Sequence, residues 1–207
     1  MTEMRRAPRG FTLIELLTVI AIIGILAALL FPAVGAARRS AHKAKTRVQF
    51  SQWAAAIESF RSEYGYYPAF DASNLVNGGA TTTLNGSHPF HDILAGRKRD
   101  GTALTAGSPA AAQNNKSISF YTFSDSELAT NYLLKDPFDD TEIAVLVDKN
   151  LDGAITSADY PAGIPFVAGL KPGATDIPNG TIRATVVFYA PAPGADAANP
   201  EFIFSWQ

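Results

Sequence analysis

Oxygen-bearing side chains recur at alternate positions in one short segment of the chain, residues 148–159. Positions 1, 3 and 5 of this segment are Asp148, Asn150 and Asp152, and Gly153 follows at position 6. A loop that wraps a hard cation needs oxygen ligands at this spacing and a glycine where the chain turns sharply. The pattern predicts a Ca²⁺ site with these ligands: Asp148, Asn150, Asp152, the backbone carbonyl of Ala154, Thr156 directly or through water, and Asp159.

The twelfth position of this loop differs from that of calcium sensors, which carry a bidentate glutamate there. Asp159 is one methylene shorter and is nearer to loops of the dockerin type. Ile155 is expected to face inward and to anchor the loop. The chain has no second loop of this kind. A solvated Asp/Asn/Gly turn between two strands is the alternative interpretation.

A single carboxylate, Glu15, lies inside a long apolar segment. It is the only charged residue between Phe11 and Ala37, a length that spans a bilayer core. An ionised side chain in such a segment costs about 2.5 kcal/mol or more, so it needs a partner and usually marks a functional position. A basic leader, residues 1–10, precedes the segment and contains Arg5, Arg6 and Arg9.

The other polar residues form no catalytic pattern. His88, His91 and Asp92 are too few ligands for zinc, and we expect them in a turn that leads into a short helix. The sequence has no Gly-x-Ser-x-Gly elbow and no glycine-rich phosphate loop, so we expect no enzyme. The net charge of −2 gives no overall attraction to nucleic acid, and the chain has no cysteine.

The residues around Glu15 resemble a known processing signal. The run Arg9-Gly10-Phe11-Thr12-Leu13-Ile14-Glu15 is similar to the signature of the type IV pilin and type II secretion pseudopilin superfamily. The resemblance implies that a prepilin peptidase cuts between Gly10 and Phe11 and methylates the new amine of Phe11. Pro32 matches the helix-breaking proline of the family.

Cleavage would create a positively charged amine on Phe11, and in a filament of identical helices the Glu15 of a neighbour can meet it. A buried ion pair is weak evidence for stability. It does define register, because a misplaced neighbour leaves a charge unpaired in an apolar environment. We therefore expect Glu15 to act in assembly and not in catalysis. The alternative is a glutamate near the membrane surface whose side chain extends into water and has no role in assembly.

A secretory signal peptide is the rival interpretation of the N-terminus, with Val34-Gly35-Ala36 as its cleavage site. The apolar segment is longer than the roughly 7–15 residues of such a peptide and carries a charge near its start. Five basic residues between positions 38 and 47 follow it, and the positive-inside rule alone does not favour an exported C-terminus. The expected orientation, with the C-terminal part in the periplasm, therefore comes from the resemblance.

The apolar segment is expected to continue as one helix, from about Phe11 to about Tyr64. One amphipathic face carries large apolar side chains at spacings of three and four: Phe50, Trp53, Ile57, Phe60 and Tyr64. Pro32 should kink or locally open this helix, because proline removes a backbone donor and clashes with the preceding turn. The segment 64–68, Tyr-Gly-Tyr-Tyr-Pro, ends the helix and resembles the segment that closes it in major pseudopilins.

Strand candidates follow a loop-rich stretch. They are rich in β-branched and aromatic residues and cover 117–123, 143–147, 182–189 and 202–206. A helix followed by a small sheet predicts an α+β fold, with an antiparallel sheet packed on the amphipathic face. The predicted division is a leader (1–10), a membrane or filament-core helix (11–37), its amphipathic continuation (38–67) and a globular head (68–207).

A second acidic loop, Asp136-Pro137-Phe138-Asp139-Asp140, is similar to the Asp-Pro-aromatic motif of the major pseudopilins. The resemblance implies that calcium is held in this region, so Asp136, Asp139 and Asp140 are further candidate ligands. Phenylalanine stands where the family usually has tryptophan, and Asp139-Asp140 where it has Gly-Asn. Either loop, or both, could contribute to the metal site.

The expected function is that of a processed subunit of a type II secretion pseudopilus, a filament that drives protein export, most like the major (G-type) pseudopilin. The implied partners are prepilin peptidase, copies of the chain itself, minor pseudopilins and an inner-membrane assembly platform. The implied location is the bacterial inner membrane, crossed once, with the head in the periplasm. The alternatives are a type IV pilin for adhesion, twitching or DNA uptake, and a singly anchored calcium-binding surface protein.

Overall fold

The computed structural model describes residues 12–206, without the side chains of Pro32 and Pro178. The chain divides into two compact units, Met1–Ala41 and His42–Gln207. A single long helix contributes to both units. The second unit contains every strand and every short helix of the described residues.

Helix α1 covers Leu13–Tyr64, 52 residues. By length and composition it can cross a membrane. The helix ends where Gly65 adopts φ +81°, and the Gly65 amide donates to the Arg61 carbonyl at 2.7 Å. Glycine reaches this left-handed conformation without the clash that a side chain would cause. The predicted helix is confirmed, with a start two residues later than expected.

The helical assignment continues through Pro32 without a break. The helix is therefore not opened at this residue in the single chain, and the predicted kink stays a prediction. Proline removes only its own amide from the helix, so helical residues can continue on both sides of it. Gly24 and Gly35 also lie within the uninterrupted helix.

The sheet has three antiparallel strands in the order β1-β2-β3. They are β1 (Ala144–Val147), β2 (Val186–Pro191) and β3 (Phe202–Phe204). Val145 is opposite Phe188, and Ala190 is opposite Ile203. The long helix and this small sheet confirm the α+β prediction.

The amphipathic face of α1 forms the centre of the main core. Phe50, Trp53 and Ile57 are fully buried, and the rings of Phe50 and Trp53 lie 5.5 and 5.7 Å from that of Phe188 on β2. Phe60, one to two turns further along, belongs to a separate cluster with short-helix residues such as Ile93. The face predicted to pack on the sheet thus divides between the sheet and the short helices.

Two short helices accompany α1 in the second unit, α2 (Pro89–Ala95) and α3 (Pro109–Gln113). Helix α2 agrees with the expected short helix near His91. Helix α3 lies in the loop-rich stretch that precedes the predicted strands. The Ser108 hydroxyl accepts from the Ala111 amide at 3.2 Å and Pro109 occupies the first turn, a combination that favours a helix start.

The predicted strand at 117–123 is wrong, because its backbone groups find partners outside a sheet. The side-chain amide of Asn114 donates to the carbonyl oxygens of Ile93 and Ile118, at 2.8 and 2.7 Å. The Phe120 amide donates to the Leu94 carbonyl of α2 at 2.8 Å. Of the other predicted strands, the third starts later than expected, at Val186, and the last ends earlier, at Phe204.

Candidate functional site

Glu15 and Thr12 bind each other at the start of α1. The Thr12 amide and hydroxyl both donate to Glu15 Oε2, at 2.8 and 2.6 Å, and the Glu15 amide donates to the Thr12 hydroxyl at 3.3 Å. This reciprocal arrangement is a capping box, in which two side chains satisfy amides that have no partner inside the helix. Glu15 therefore has a structural role within the single chain.

The capping box was missed in the sequence, although its signal was present. A threonine followed three residues later by a glutamate, just before an apolar run, is typical of a helix start. Glu15 Oε1 accepts no hydrogen bond from the residues that the structure describes.

Residues 5–31 match the family model of the prokaryotic N-terminal methylation motif. The chain carries a prepilin-type N-terminus. This motif indicates a type IV pilin-like protein that is processed by prepilin peptidase and associates with the membrane. The predicted processing residues, Gly10 and Phe11, lie within the matched segment but outside the described residues.

The match places Glu15 inside the N-terminal methylation motif, together with residues 13–31 of α1. It does not extend to the head, and it does not distinguish a pseudopilin from a pilin. Comparison with curated proteins and with solved structures gave no match. What the head does must therefore be argued from its own geometry.

The loop 148–159 follows β1 directly and folds around two buried carboxylates, Asp148 and Asp159, which are only 1% and 2% exposed. Asp148 Oδ1 accepts from the Asp152 amide at 3.2 Å, and Asp148 Oδ2 accepts from the Gly153 amide at 2.8 Å. Gly153 has φ +87°, so the sharp turn predicted at this position is present.

Asp159 closes the same loop from its other end. Its Oδ1 accepts from the Lys149 amide at 2.8 Å, and its Oδ2 accepts from the Thr156 amide at 2.8 Å. Ile155 is fully buried, which confirms its predicted inward position. The predicted ligands Asn150 and Asp152 are exposed at the tip, where the Asn150 amide group donates to Asp152 Oδ2 at 2.9 Å.

The structure gathers the predicted ligands into one loop, but the buried carboxylates accept backbone amides there. Among the described residues, no group of three or more His, Cys, Asp or Glu side chains is placed to hold a metal. Asp148 and Asp159 also take part in no ion pair within residues 12–206. Two buried carboxylates in one loop thus lack a compensating cation from the described part of the protein.

The second acidic loop is attached to α1. The buried Asp136 accepts the amides of Phe138 and Asp140 at 2.8 and 3.0 Å, and the Thr46 hydroxyl of α1 contacts its other oxygen at 3.4 Å. The His42 ring donates through Nδ1 to the Pro137 carbonyl at 2.6 Å. Burial raises the pKa of Asp136 above its ordinary value, against the two backbone hydrogen bonds.

The remaining acids of this loop have local partners. Asp139 pairs with Lys135 at 2.5 Å, and Asp140 accepts the Glu142 amide at 2.8 Å. No hydrogen bond joins this loop to loop 148–159 in the part of the chain that the structure describes. The structure therefore does not bring the two candidate calcium loops into one site.

Proposed function

We propose that this protein is a subunit of a type II secretion pseudopilus, cut between Gly10 and Phe11, methylated on Phe11 and polymerised with copies of itself. The observation that carries the proposal is the N-terminal methylation motif at residues 5–31, continuous with a 52-residue helix. Apolar side chains are exposed along the first half of that helix, as on Leu13, Leu29 and Phe31. Lipid before assembly and neighbouring helices after assembly would cover them.

Glu15 would define the register of the filament. In the single chain its Oε2 is held by Thr12, and Oε1 has no partner among the described residues. The amine that cleavage creates on the Phe11 of a neighbouring copy would bind this oxygen. An amine in a wrong register would leave both charges unpaired in an apolar environment, which penalises misassembly.

Two segments beyond the methylation motif support the pseudopilus over the type IV pilus. The Tyr64–Pro68 segment ends α1 at a left-handed glycine, and the loop that contains Asp136-Pro137-Phe138 is attached to α1 through Thr46 and His42. Both resemble motifs of the major pseudopilins. A type IV pilin, with the same motif and the same helix, is the second candidate.

Deletion of the gene in its native host distinguishes a pseudopilus subunit from a type IV pilin. The extracellular proteome, surface piliation and twitching are measured in the deletion strain and in a strain that carries the gene in trans. For a pseudopilus subunit, exported proteins accumulate in the periplasm while pili persist. Loss of pili with unchanged secretion would instead assign the protein to type IV pili.

We further propose that loop 148–159 binds Ca²⁺. The donor set is suited to a hard cation, because it combines carboxylate, amide and carbonyl oxygens. The buried carboxylates of Asp148 and Asp159 would gain the counter-charge that the described residues do not supply. Each Asp148 oxygen accepts one amide hydrogen, and a carboxylate oxygen has a second lone pair for a metal. Bound calcium would order the tip, which carries Asn150 and Asp152.

Thermal unfolding of the full-length chain in detergent, stripped with EDTA, tests this proposal. Calcium at about 100 times its dissociation constant should stabilise the fold by about 2.7 kcal/mol, with a corresponding rise in Tm. Asp152→Ala should remove the rise, because the side chain is an exposed ligand at the tip. Asp100→Ala is the matched control, since Asp100 caps a similar exposed turn through Thr102. An unchanged Tm at millimolar calcium would contradict the proposal.

A further inference from the structure

A polar cavity of about 280 Å³ lies beside α2, and its lining residues belong to neither acidic loop. Three consecutive cationic residues, Arg97, Lys98 and Arg99, contribute to its lining, together with His91 and Asp125. The turn that carries them is tight, because the Gly101 amide donates to the Lys98 carbonyl at 3.0 Å. The cavity lies entirely within the second unit.

Arg99 is the residue in this cavity whose hydrogen bonding is incomplete. Its Nη1 donates to the Tyr132 carbonyl. Its Nε is shielded from solvent and has no acceptor among the described residues. Nε and Nη2 form the side edge of the guanidinium, which matches the two oxygens of a carboxylate or phosphate. This edge lacks an acceptor in residues 12–206.

The nearest acids do not supply that acceptor. Asp92 is buried, and its two oxygens contact His91 Nδ1 at 3.0 Å and the His88 amide at 3.2 Å. Asp100 Oδ1 accepts both the amide and the hydroxyl of Thr102. Asp125, which is exposed, also lines the cavity but forms no ion pair with Arg99 within the described residues.

Arg97 and Lys98, the other two cationic residues of the turn, also lack a carboxylate partner among the described residues. Arg97 is exposed and Lys98 is half-buried, and neither forms an ion pair in the part of the chain that the structure describes. Burial lowers the pKa of Arg99 to about 10, because desolvation disfavours the charged guanidinium more than the nearby Asp92 carboxylate favours it. At neutral pH Arg99 nevertheless stays charged.

The geometry points to a binding site for a small oxyanion, a carboxylate or a phosphate group, on the Nε–Nη2 edge of Arg99. The ligand enters from the cavity and accepts two parallel hydrogen bonds from the guanidinium. Arg97 and Lys98 add attraction at the rim. The anion supplies a directly hydrogen-bonded counter-charge for the half-buried guanidinium, because the nearby Asp92 carboxylate is already bound to His91 and His88. This site does not depend on the proposed filament role.

Isothermal titration of the full-length chain in a non-ionic detergent, with inorganic phosphate at constant ionic strength, tests the site. We expect saturable binding of one phosphate per chain. Acetate should compete if the site recognises any oxyanion, and should not if it requires a phosphate. Arg99→Gln should weaken binding by about tenfold or more, the loss expected for a charge-assisted hydrogen bond.

Two further variants separate a site from general electrostatics. Arg99→Lys keeps the charge but not the two-pronged edge, so it should also weaken binding. Arg183→Gln, which removes an exposed arginine elsewhere in the head, should leave binding unchanged. Circular dichroism checks that each variant is folded, and Arg97→Gln gives a smaller loss if Arg99→Gln does not fold. Absence of saturable binding, or an equal loss in Arg183→Gln, would overturn the proposal.

Discussion

At the scale of single residues, Glu15 combines two roles that call for different substitutions. It caps the first turn of α1 through Thr12, and it carries the charge that the proposed assembly requires. A capping side chain contributes about 1 kcal/mol to a helix start. An unpaired charge in an apolar segment costs about 2.5 kcal/mol or more. The cost of the unpaired charge exceeds the contribution of capping. We therefore infer that the main role of Glu15 is in assembly.

Glu15→Gln separates the two roles, because its amide oxygen still accepts from Thr12 while the charge is lost. We expect Glu15→Gln and Glu15→Ala to insert in the membrane but to fail in filament assembly, as measured by chemical cross-linking of neighbouring subunits in cell envelopes. Thr12→Ala, which removes the hydroxyl but not the charge, should be milder. Normal assembly of Glu15→Gln would show that capping alone is required.

Asp136 illustrates a residue whose role is to satisfy backbone amides. Its carboxylate accepts from Phe138 and Asp140, and burial raises its pKa. Asp136→Ala should destabilise the head by about 1–3 kcal/mol, because two partly buried amides lose their acceptor. Asp136→Asn keeps an acceptor oxygen without the charge and should be more stable than Asp136→Ala. Urea denaturation at pH 7 with EDTA measures the difference, and equal stabilities would contradict this role.

At the scale of elements, the end of α1 depends on one backbone conformation. Gly65 has φ +81°, and a Cβ added there would meet no atom within 4 Å. A side chain at position 65 would therefore destabilise the protein through its strained backbone conformation and not through clashes with neighbouring atoms. This glycine decides where the helix stops and where the Tyr66-Tyr67-Pro68 segment turns toward the head.

Gly65→Ala should destabilise the head by about 1–2 kcal/mol, the cost of placing an L-residue in the left-handed region. Gly65→Asn should cost less, since asparagine tolerates this conformation better. Gly173→Ala is a suitable control because Gly173 has an ordinary φ and only van der Waals neighbours at 3.8 Å. Denaturant midpoints compare the three variants, and a Gly65→Ala as stable as the control would contradict the assignment.

At the scale of the whole molecule, the second unit is organised around Trp53. Its ring lies 5.3 Å from Phe90 of α2 and 5.7 Å from Phe188 of β2, and its Nε1 donates to the buried Glu127 at 3.0 Å. One side chain thus connects the long helix, a short helix, the sheet and a connecting loop. Its removal should affect the whole unit.

Trp53→Ala should destabilise the second unit by about 3–5 kcal/mol, as expected for truncation of a large buried aromatic residue. Trp53→Phe should cost less, because it keeps most of the apolar contact and loses the hydrogen bond to Glu127. Val48→Ala, on an exposed position of the same helix, should change stability by less than about 0.5 kcal/mol. Far-UV circular dichroism during denaturation compares them. A loss in Val48→Ala as large as in Trp53→Ala would be inconsistent with this core.

The sequence by itself determined the features that depend on local pattern. These include the N-terminal methylation motif with Glu15, the extent of α1 and its buried face, and the glycine that ends the helix. They also include the α+β class and the inward position of Ile155. Each is encoded by residues within one or a few helical turns or strand repeats, so spacing along the chain is sufficient to recognise it.

Only the tertiary structure decided where the remaining polar groups find partners. The segment 117–123 has strand-like residues, yet Asn114 and α2 satisfy its backbone and it joins no sheet. Among the described residues, the acids of loops 136–140 and 148–159 share no hydrogen bond, and different amides satisfy them. Only the fold shields the Nε of Arg99 from solvent and leaves it without an acceptor among the described residues. Hydrogen-bond partners far apart in sequence compete for the same groups, and only folding in three dimensions determines which of them bind.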